Sequence, residues 1–375
     1  MKRRGLLATV AAVLALVASA AGRAAAPELP AAAWYLSGED GAVLAARNAA
    51  ERRAPASITK LMTAIVTLER ASLEEPVTVP RRAAAVGGAT VFLRAGETLT
   101  VRELLRGLLV PSANDAALAL ALHVGRGSLE RFVALMNAKA AELGLRDTRF
   151  RNPHGLDAPG HVSSARDATR LLRYALGVPF LRDALSSSAV VLPGGRELPT
   201  TDDLLRTWAP LVAGKTGHTA AAGWSQAGAA RARGVTVYGA VLGASSREVR
   251  NAALRTLLAW GLDQYRRVAV VDPGRVYAEA ESGYGAPPVR LVARRQVVRT
   301  LRAGTPLVER VVAPALVELP VRAGQRLGSL EVRARGRRLA SVPLVAAEAV
   351  PDPGVLEKAR WYAEETLENL WELVA

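Results

Sequence analysis

The hydrophobic pattern changes its period near residue 266, and one packing layer cannot accommodate both regimes. Upstream, Ile58, Leu61, Met62, Ile65 and Leu68 recur at steps of three and four, with Pro55 just before them, which predicts a helix starting near Ser57. Residues 100 to 145 read as helical throughout. "TVRELLRGLLV" opens on Thr100 with Glu103 in capping-box spacing, and "SLERFVALMNAKAAELGL" opens on Ser128 and ends near Gly144. "AAWYLSGEDGAVLAARNA" reads as two strands about a turn at Gly38 to Gly41, and "GVTVYGAVLGA" (234 to 244) as a strand followed by the helix "REVRNAALRTLLAWGLDQY". Beyond 266 the segments "RVAVV", "VRLVAR", "VELPVRAG", "GSLEVRA" and "RLASVPLV" are short and alternating. A length of 375 residues suits two domains. The expectation is therefore a mixed α/β domain over 27–265, a small all-β domain over 266–350 and an amphipathic helix over 351–375.

The first 26 residues need a different explanation. Lys2, Arg3 and Arg4 precede the apolar stretch Gly5 to Val17, and small-residue sites follow at Ala18-Ser19-Ala20 and Ala24-Ala25-Ala26, the layout of a signal peptide for export. There is no cysteine, so disulfides and thiol chemistry are excluded and stability must come from burial. The formal charge is +15, which for an exported chain points to wall polymers or anionic lipid and away from nucleic acid.

Only five lysines stand among 49 basic residues, yet Lys60 sits inside the apolar run "ASITKLMTAIV". Desolvating an ammonium is costly, so the position needs a partner or a task. Ser57 lies three residues earlier, on the same helical face. A serine is a weak nucleophile until a base takes its proton, and an apolar environment disfavours the charged lysine, making a neutral amine accessible. A lysine snorkelling from a helix edge has the same local pattern. Two further clusters decide between them: "PSAND" places Ser112 two residues before Asn114 in a break between helices, and "AGKTGHT" places Lys215, Thr216 and Gly217 beside a predicted edge strand. S-x-x-K, S-x-N and K-T-G in this order seldom co-occur by chance.

This trio resembles the signature of penicillin-binding proteins and serine β-lactamases. Longer stretches, "RRAPASITKLMTA", "LRAGETLTVRELLRGLLVPSANDAALALA", "FVALMNAKAAELGLRDTRFRNPHGLD", "SSARDA" and "GKTGHT", are similar to the low-molecular-weight D-alanyl-D-alanine carboxypeptidases over residues 32 to about 350. The resemblance implies a β-lactamase/transpeptidase-like catalytic domain, an antiparallel sheet flanked by helices, acting on peptidoglycan stem peptides that end in D-Ala-D-Ala. It implies that Ser57 is acylated, Lys60 is the general base and Ser112 relays the proton to the departing D-alanine. Asn114 would hold the substrate amide, Lys215 would supply positive potential and Thr216 would meet the terminal carboxylate. The backbone N–H groups of Ser57 and His218, the latter following Gly217, would form the oxyanion hole. β-Lactams would acylate Ser57 as covalent inhibitors, and no metal or organic cofactor is called for.

The chain departs from the family's pattern in two places. Thr201-Asp202-Asp203 replaces an asparagine-rich stretch, which leaves a contact from this segment to the substrate carboxylate unsupported. The C-terminal helix carries five glutamates against Lys358 and Arg360, which repels anionic lipid, whereas Trp361 and Trp371 favour a membrane surface. Class A β-lactamase turnover needs a glutamate-activated water, and no glutamate lies between Glu142 and Glu197. His154 and His161 do not have zinc-peptidase spacing and read as loop residues, and Ser225 misses the G-x-S-x-G elbow by one residue. An endopeptidase, a transpeptidase or a non-catalytic wall-binding relative would share the trio.

Overall fold

The structure, a computed structural model, describes residues 13–16 and 25–374. The expected leader over 1–26 falls outside the described residues apart from 25, 26 and the strand Val13–Leu16, which pairs antiparallel with Leu307–Val312. Two compact units divide between Gln264 and Tyr265.

The first unit is built on a five-stranded antiparallel sheet of β1 (Ala31–Gly38), β2 (Val43–Arg47), β3 (Leu211–Thr219), β4 (Gly223–Ala232) and β5 (Val235–Ala244), in the order β2-β1-β5-β4-β3. The K-T-G triplet thus lies on an edge strand, where one row of backbone groups stays free for a ligand. Small residues let helices sit close to the sheet: a Cβ at Gly228 would come within 3.0 Å of Leu254 Cδ2.

Four helices lie where the sequence predicts helix, α1 (Lys60–Leu68), α2 (Val101–Leu109), α3 (Asn114–Val124) and α4 (Leu129–Glu142), and α5 (Ala165–Gly177) joins them without having been anticipated. A sixth, α6 (Arg247–Asp263), contacts β5, β4 and β1. α1 touches α2, α3, α4 and α5, so it is apolar and buried on nearly every side. The expected caps form. Thr100 N–H donates to Glu103 Oε2 at 2.7 Å while Glu103 N–H donates to Thr100 Oγ1 at 3.2 Å, and Ser128 Oγ accepts from Arg131 N–H at 3.1 Å.

Two expectations need correction. The predicted helix does not begin as α-helix at Ser57: Ala56–Thr59 is a 3₁₀ turn, tightened by Ile58 N–H to Pro55 C=O at 3.2 Å. The run 100–145 is interrupted at 110–113 and again at 125–128, where Gly127 takes φ +85°.

The second unit contains a seven-stranded sheet whose strands include Val276–Ser282, Val289–Ala293, Leu307–Val312, Arg326–Ala334 and Arg337–Ala346. Leu330 and Val332 point inward from one strand, and Val342 and Leu344 from the next, as the period of two requires. A final helix, α7, spans Val355–Val374. Leu356 on its apolar stripe is 87% exposed and Leu367 59%. Trp361 and Tyr362 pack edge-on against Tyr284, at centroid distances of 5.6 and 5.9 Å.

Candidate active site

Three pieces of chain converge on one cleft in the first unit. Ser57 arrives on the 3₁₀ turn ahead of α1, Ser112 on the α2–α3 connection and Thr216, Gly217 and His218 on edge strand β3, and all five line a cavity of about 390 Å³. The backbone is strained at both serine-bearing turns: Ala56 has φ +46° and Ser112 φ +68°, a region that non-glycine residues enter at a cost of roughly 1–3 kcal/mol. Tight backbone contact holds the first of these turns. A Cβ at Gly155 would lie 2.0 Å from Ala56 C=O, and one at Gly217 would lie 3.0 Å from Ser57 N.

Behind the cleft two lysines contact the serines. Lys60 Nζ donates to Ser57 Oγ at 2.8 Å and to Asn114 Oδ1 at 2.7 Å, and lies 3.3 Å from Ser112 Oγ. Lys215 Nζ donates to Ser112 Oγ at 2.8 Å and to Thr216 C=O at 3.1 Å. Both lysines are buried. Burial, seconded by the Lys215 charge and opposed by Asp115, pushes the Lys60 amine well below its ordinary value. Burial also lowers Lys215, to about 7, against the raising effect of Asp202 and with help from Arg250.

Asn114 is buried beside the Lys60 amine. Its Oδ1 is held by Lys60 and its Nδ2 donates to Gly87 C=O at 2.8 Å, so the side chain locks the base to the loop that carries Gly88 and Ala89. Asp115 secures the same loop from below, accepting from Val91 N–H at 3.1 Å and Leu93 N–H at 3.0 Å. His218 stacks on Trp224 with centroids 4.1 Å apart.

The two loop histidines have structural partners. His161 Nδ1 accepts from Arg151 N–H at 2.8 Å, so its Nε2 carries the proton and donates to Thr59 Oγ1 at 2.8 Å. Burial lowers both His154 and His161 to about 4, so both are neutral at physiological pH. Ser225 is buried and accepts from Gly243 N–H at 3.2 Å.

Sequence reasoning missed six residues of the cleft: Gly88, Ala89, Thr201, Trp224, Arg247 and Arg250. Thr201 also revises the expectation for its segment, since its Oγ1 lies 2.7 Å from Thr216 Oγ1 at the cleft floor. Asp202 turns inward to accept from Gln226 Nε2 at 2.7 Å, and Asp203 takes a bidentate contact from Arg247 at 2.5 Å per bond. The one sequence signal was the Ser246 start of α6, which places Arg247 and Arg250 on successive positions of one helical face. Arg250 is buried, with its guanidinium 5.7 Å from the Trp224 ring centroid.

The sequence profile of the D-alanyl-D-alanine carboxypeptidases matches residues 20–246. The chain is 34% identical over 354 residues to the D-alanyl-D-alanine carboxypeptidase DacD of Escherichia coli, covering 90% of this chain and 91% of that one. It is 30% identical to DacF of Bacillus subtilis over 331 residues, 85% of each. Among solved structures, penicillin binding protein 5 of Haemophilus influenzae superposes with a TM-score of 0.64 at 27% identity, over 88% of this chain and all of the other. The Streptomyces K15 DD-transpeptidase superposes with a TM-score of 0.61 at 30% identity, over 64% of this chain and all of that one. With a profile match over more than half its length and relatives matched nearly end to end, this chain belongs to the D-alanyl-D-alanine carboxypeptidase family of serine peptidases.

Proposed function

We propose that the protein removes the terminal D-alanine from peptidoglycan stem peptides through an acyl-enzyme on Ser57. The observation that carries this reading is the Lys60 network: a fully buried amine, depressed by its surroundings, 2.8 Å from the Ser57 hydroxyl. Neutral Lys60 takes the Ser57 proton as Oγ attacks the carbonyl of the penultimate residue. The N–H groups of Ser57 and His218 receive the negative charge that appears on the carbonyl oxygen. As the C–N bond breaks, the proton held by Lys60 passes through Ser112, 3.3 Å away, to the leaving amine. A water then opens the ester. Lys215, Thr216, Gly217 and Thr201 form the wall that receives the substrate carboxylate. Asn114 keeps Lys60 aimed, and its second N–H and second oxygen lone pair remain to hold a substrate amide.

A β-lactam presents the same carbonyl in a strained ring, which supports covalent trapping at Ser57. We assign the chemistry to 27–265, with the β-rich domain over 266–350 and the terminal helix over 351–375 outside it. The basic and apolar pattern of 1–26 supports export, which gives access to the wall. The exposed Leu356 and Leu367 of α7 and the tryptophans in its sequence support contact with a membrane surface.

The test is mass spectrometry after penicillin treatment, with the adduct located by digestion, paired with product analysis on a pentapeptide. A single acyl adduct on the peptide carrying Ser57, with free D-alanine released, is the expected result. An unlabelled protein would support a non-catalytic wall-binding role, and crosslinked product would make the enzyme a transpeptidase.

A further inference from the structure

A second cavity of the first unit lies apart from the catalytic cleft. It holds about 1030 Å³ and is lined by Arg52, Arg146, Arg149 and Arg151, with Asn137 and Asp147 among its other walls. None of these four arginines forms an ion pair with a carboxylate among the described residues. The single acid on the wall is already engaged, since Asp147 accepts from Arg166 at 2.7 Å and from Ser164 at 3.0 Å. Four arginines lining one concavity, with one compensated carboxylate among its walls, give it a positive potential.

The backbone holds this arrangement in place. Arg149 is bridged to Val162 by a reciprocal pair of hydrogen bonds at 2.9 and 3.0 Å. Arg151 has its N–H fixed on His161, and its guanidinium lies over Gly160, whose Cβ, if present, would sit 3.2 Å from it. Arg52 reaches across to Arg146 C=O at 3.2 Å, joining the two sides of the cavity.

We infer that this cavity is a second binding site, separate from the catalytic cleft, for a phosphate-bearing ligand. Guanidinium forks match phosphate oxygens in bidentate geometry, and arginine keeps its charge at every relevant pH. The lining has no aromatic side chain on which a base or sugar ring could stack, which disfavours nucleotides and bare glycans. The volume exceeds what one phosphate ion fills, so a chain of linked phosphates or a phosphate headgroup with its attached polyol suits it. The net charge of +15 would draw such a ligand from solution without choosing where it binds; the cavity would choose the place.

The test uses the full chain and inorganic tripolyphosphate, followed by titration calorimetry at two salt concentrations. Saturable one-to-one binding is expected. The double variant Arg146→Gln with Arg149→Gln should weaken it by roughly a hundredfold, about tenfold for each guanidinium lost. Arg255→Gln, on an exposed face of α6, should leave it within twofold. Thermal melting and penicillin acylation of each variant report on the fold and the catalytic site, so a failure here is distinguishable from a failure of the carboxypeptidase reading. Parallel pelleting with phosphatidylcholine vesicles, with and without phosphatidylglycerol, separates the sources. Loss of vesicle binding in the same double variant makes a lipid headgroup the ligand, and loss of tripolyphosphate binding alone makes it a soluble phosphodiester. Absence of saturable binding, or equal weakening by Arg255→Gln and the double variant, would overturn the proposal, the second result reducing it to net charge.

Discussion

Lys215 Nζ donates to Ser112 Oγ at 2.8 Å, while Lys60 Nζ approaches the same oxygen at 3.3 Å, so one hydroxyl lies between two buried amines. Two ammonium groups this close oppose each other's charge, and the Lys215 charge is the second cause of the low Lys60 value after burial. The serine can pass a proton only while one amine is neutral and the other charged. This asymmetry leads to the first prediction.

Acylation should have a bell-shaped pH dependence. The rising limb follows loss of the Lys60 proton, and the falling limb follows loss of the Lys215 proton near 7. Lys215→Ala removes a charge that depresses Lys60, so the rising limb should move to higher pH. Rates of penicillin labelling across pH 5 to 10 check this, and an unmoved limb would show that the two amines are not coupled.

Lys60→Arg should reduce acylation by roughly 10²- to 10⁴-fold, the share ordinarily supplied by a general base. Arginine stays protonated and cannot accept the Ser57 proton. Labelling by fluorescent penicillin is the measurement, with circular dichroism as the control for folding.

Gly155→Ala should cripple acylation. The residue has φ +93°, and an added Cβ would overlap Ala56 C=O at 2.0 Å, next to the nucleophile. Backbone on both sides leaves nothing flexible to yield. Stability should fall by about 1–3 kcal/mol, while the labelling rate falls by more than that loss of folded protein explains. Equal losses would make the glycine's role structural alone.

His161 links stability to acid. Its folded value of about 4 lies below the ordinary 6.5, so the folded state binds fewer protons than the unfolded one. The stabilisation is complete above about 6.5 and is lost as pH falls toward 4, by about 3 kcal/mol in full. Urea unfolding of the wild type between pH 7 and 4 should show this slope, to which His154, also lowered to about 4, adds a similar share, so His161→Gln should remove about half of it while lowering stability at pH 7 through the strained fit of an amide between Arg151 N–H and Thr59 Oγ1.

Asp115→Asn should loosen the loop that carries Gly88 and Ala89. The carboxylate is buried and serves the N–H groups of Val91 and Leu93, and an amide in its place turns one acceptor into a donor facing a donor. A cost of about 1–3 kcal/mol is expected in denaturant unfolding of the first unit.

The sequence by itself determined the elements and most of the chemistry. Apolar spacing marked α1, the Thr100 and Ser128 caps marked α2 and α4, and alternation marked the strands beyond 266, because these signals act between residues a few positions apart. Three short motifs singled out Ser57, Lys60, Ser112, Asn114 and the Lys215-to-His218 stretch as candidates, since acyl transfer calls for those residue types. Tertiary structure decided what depends on residues far apart in the chain. It set Asn114 against Lys60, brought Thr201 to Thr216, and set Arg250 against Trp224. It also depressed both amines, because burial is a property of the packed neighbours and not of any local run of sequence.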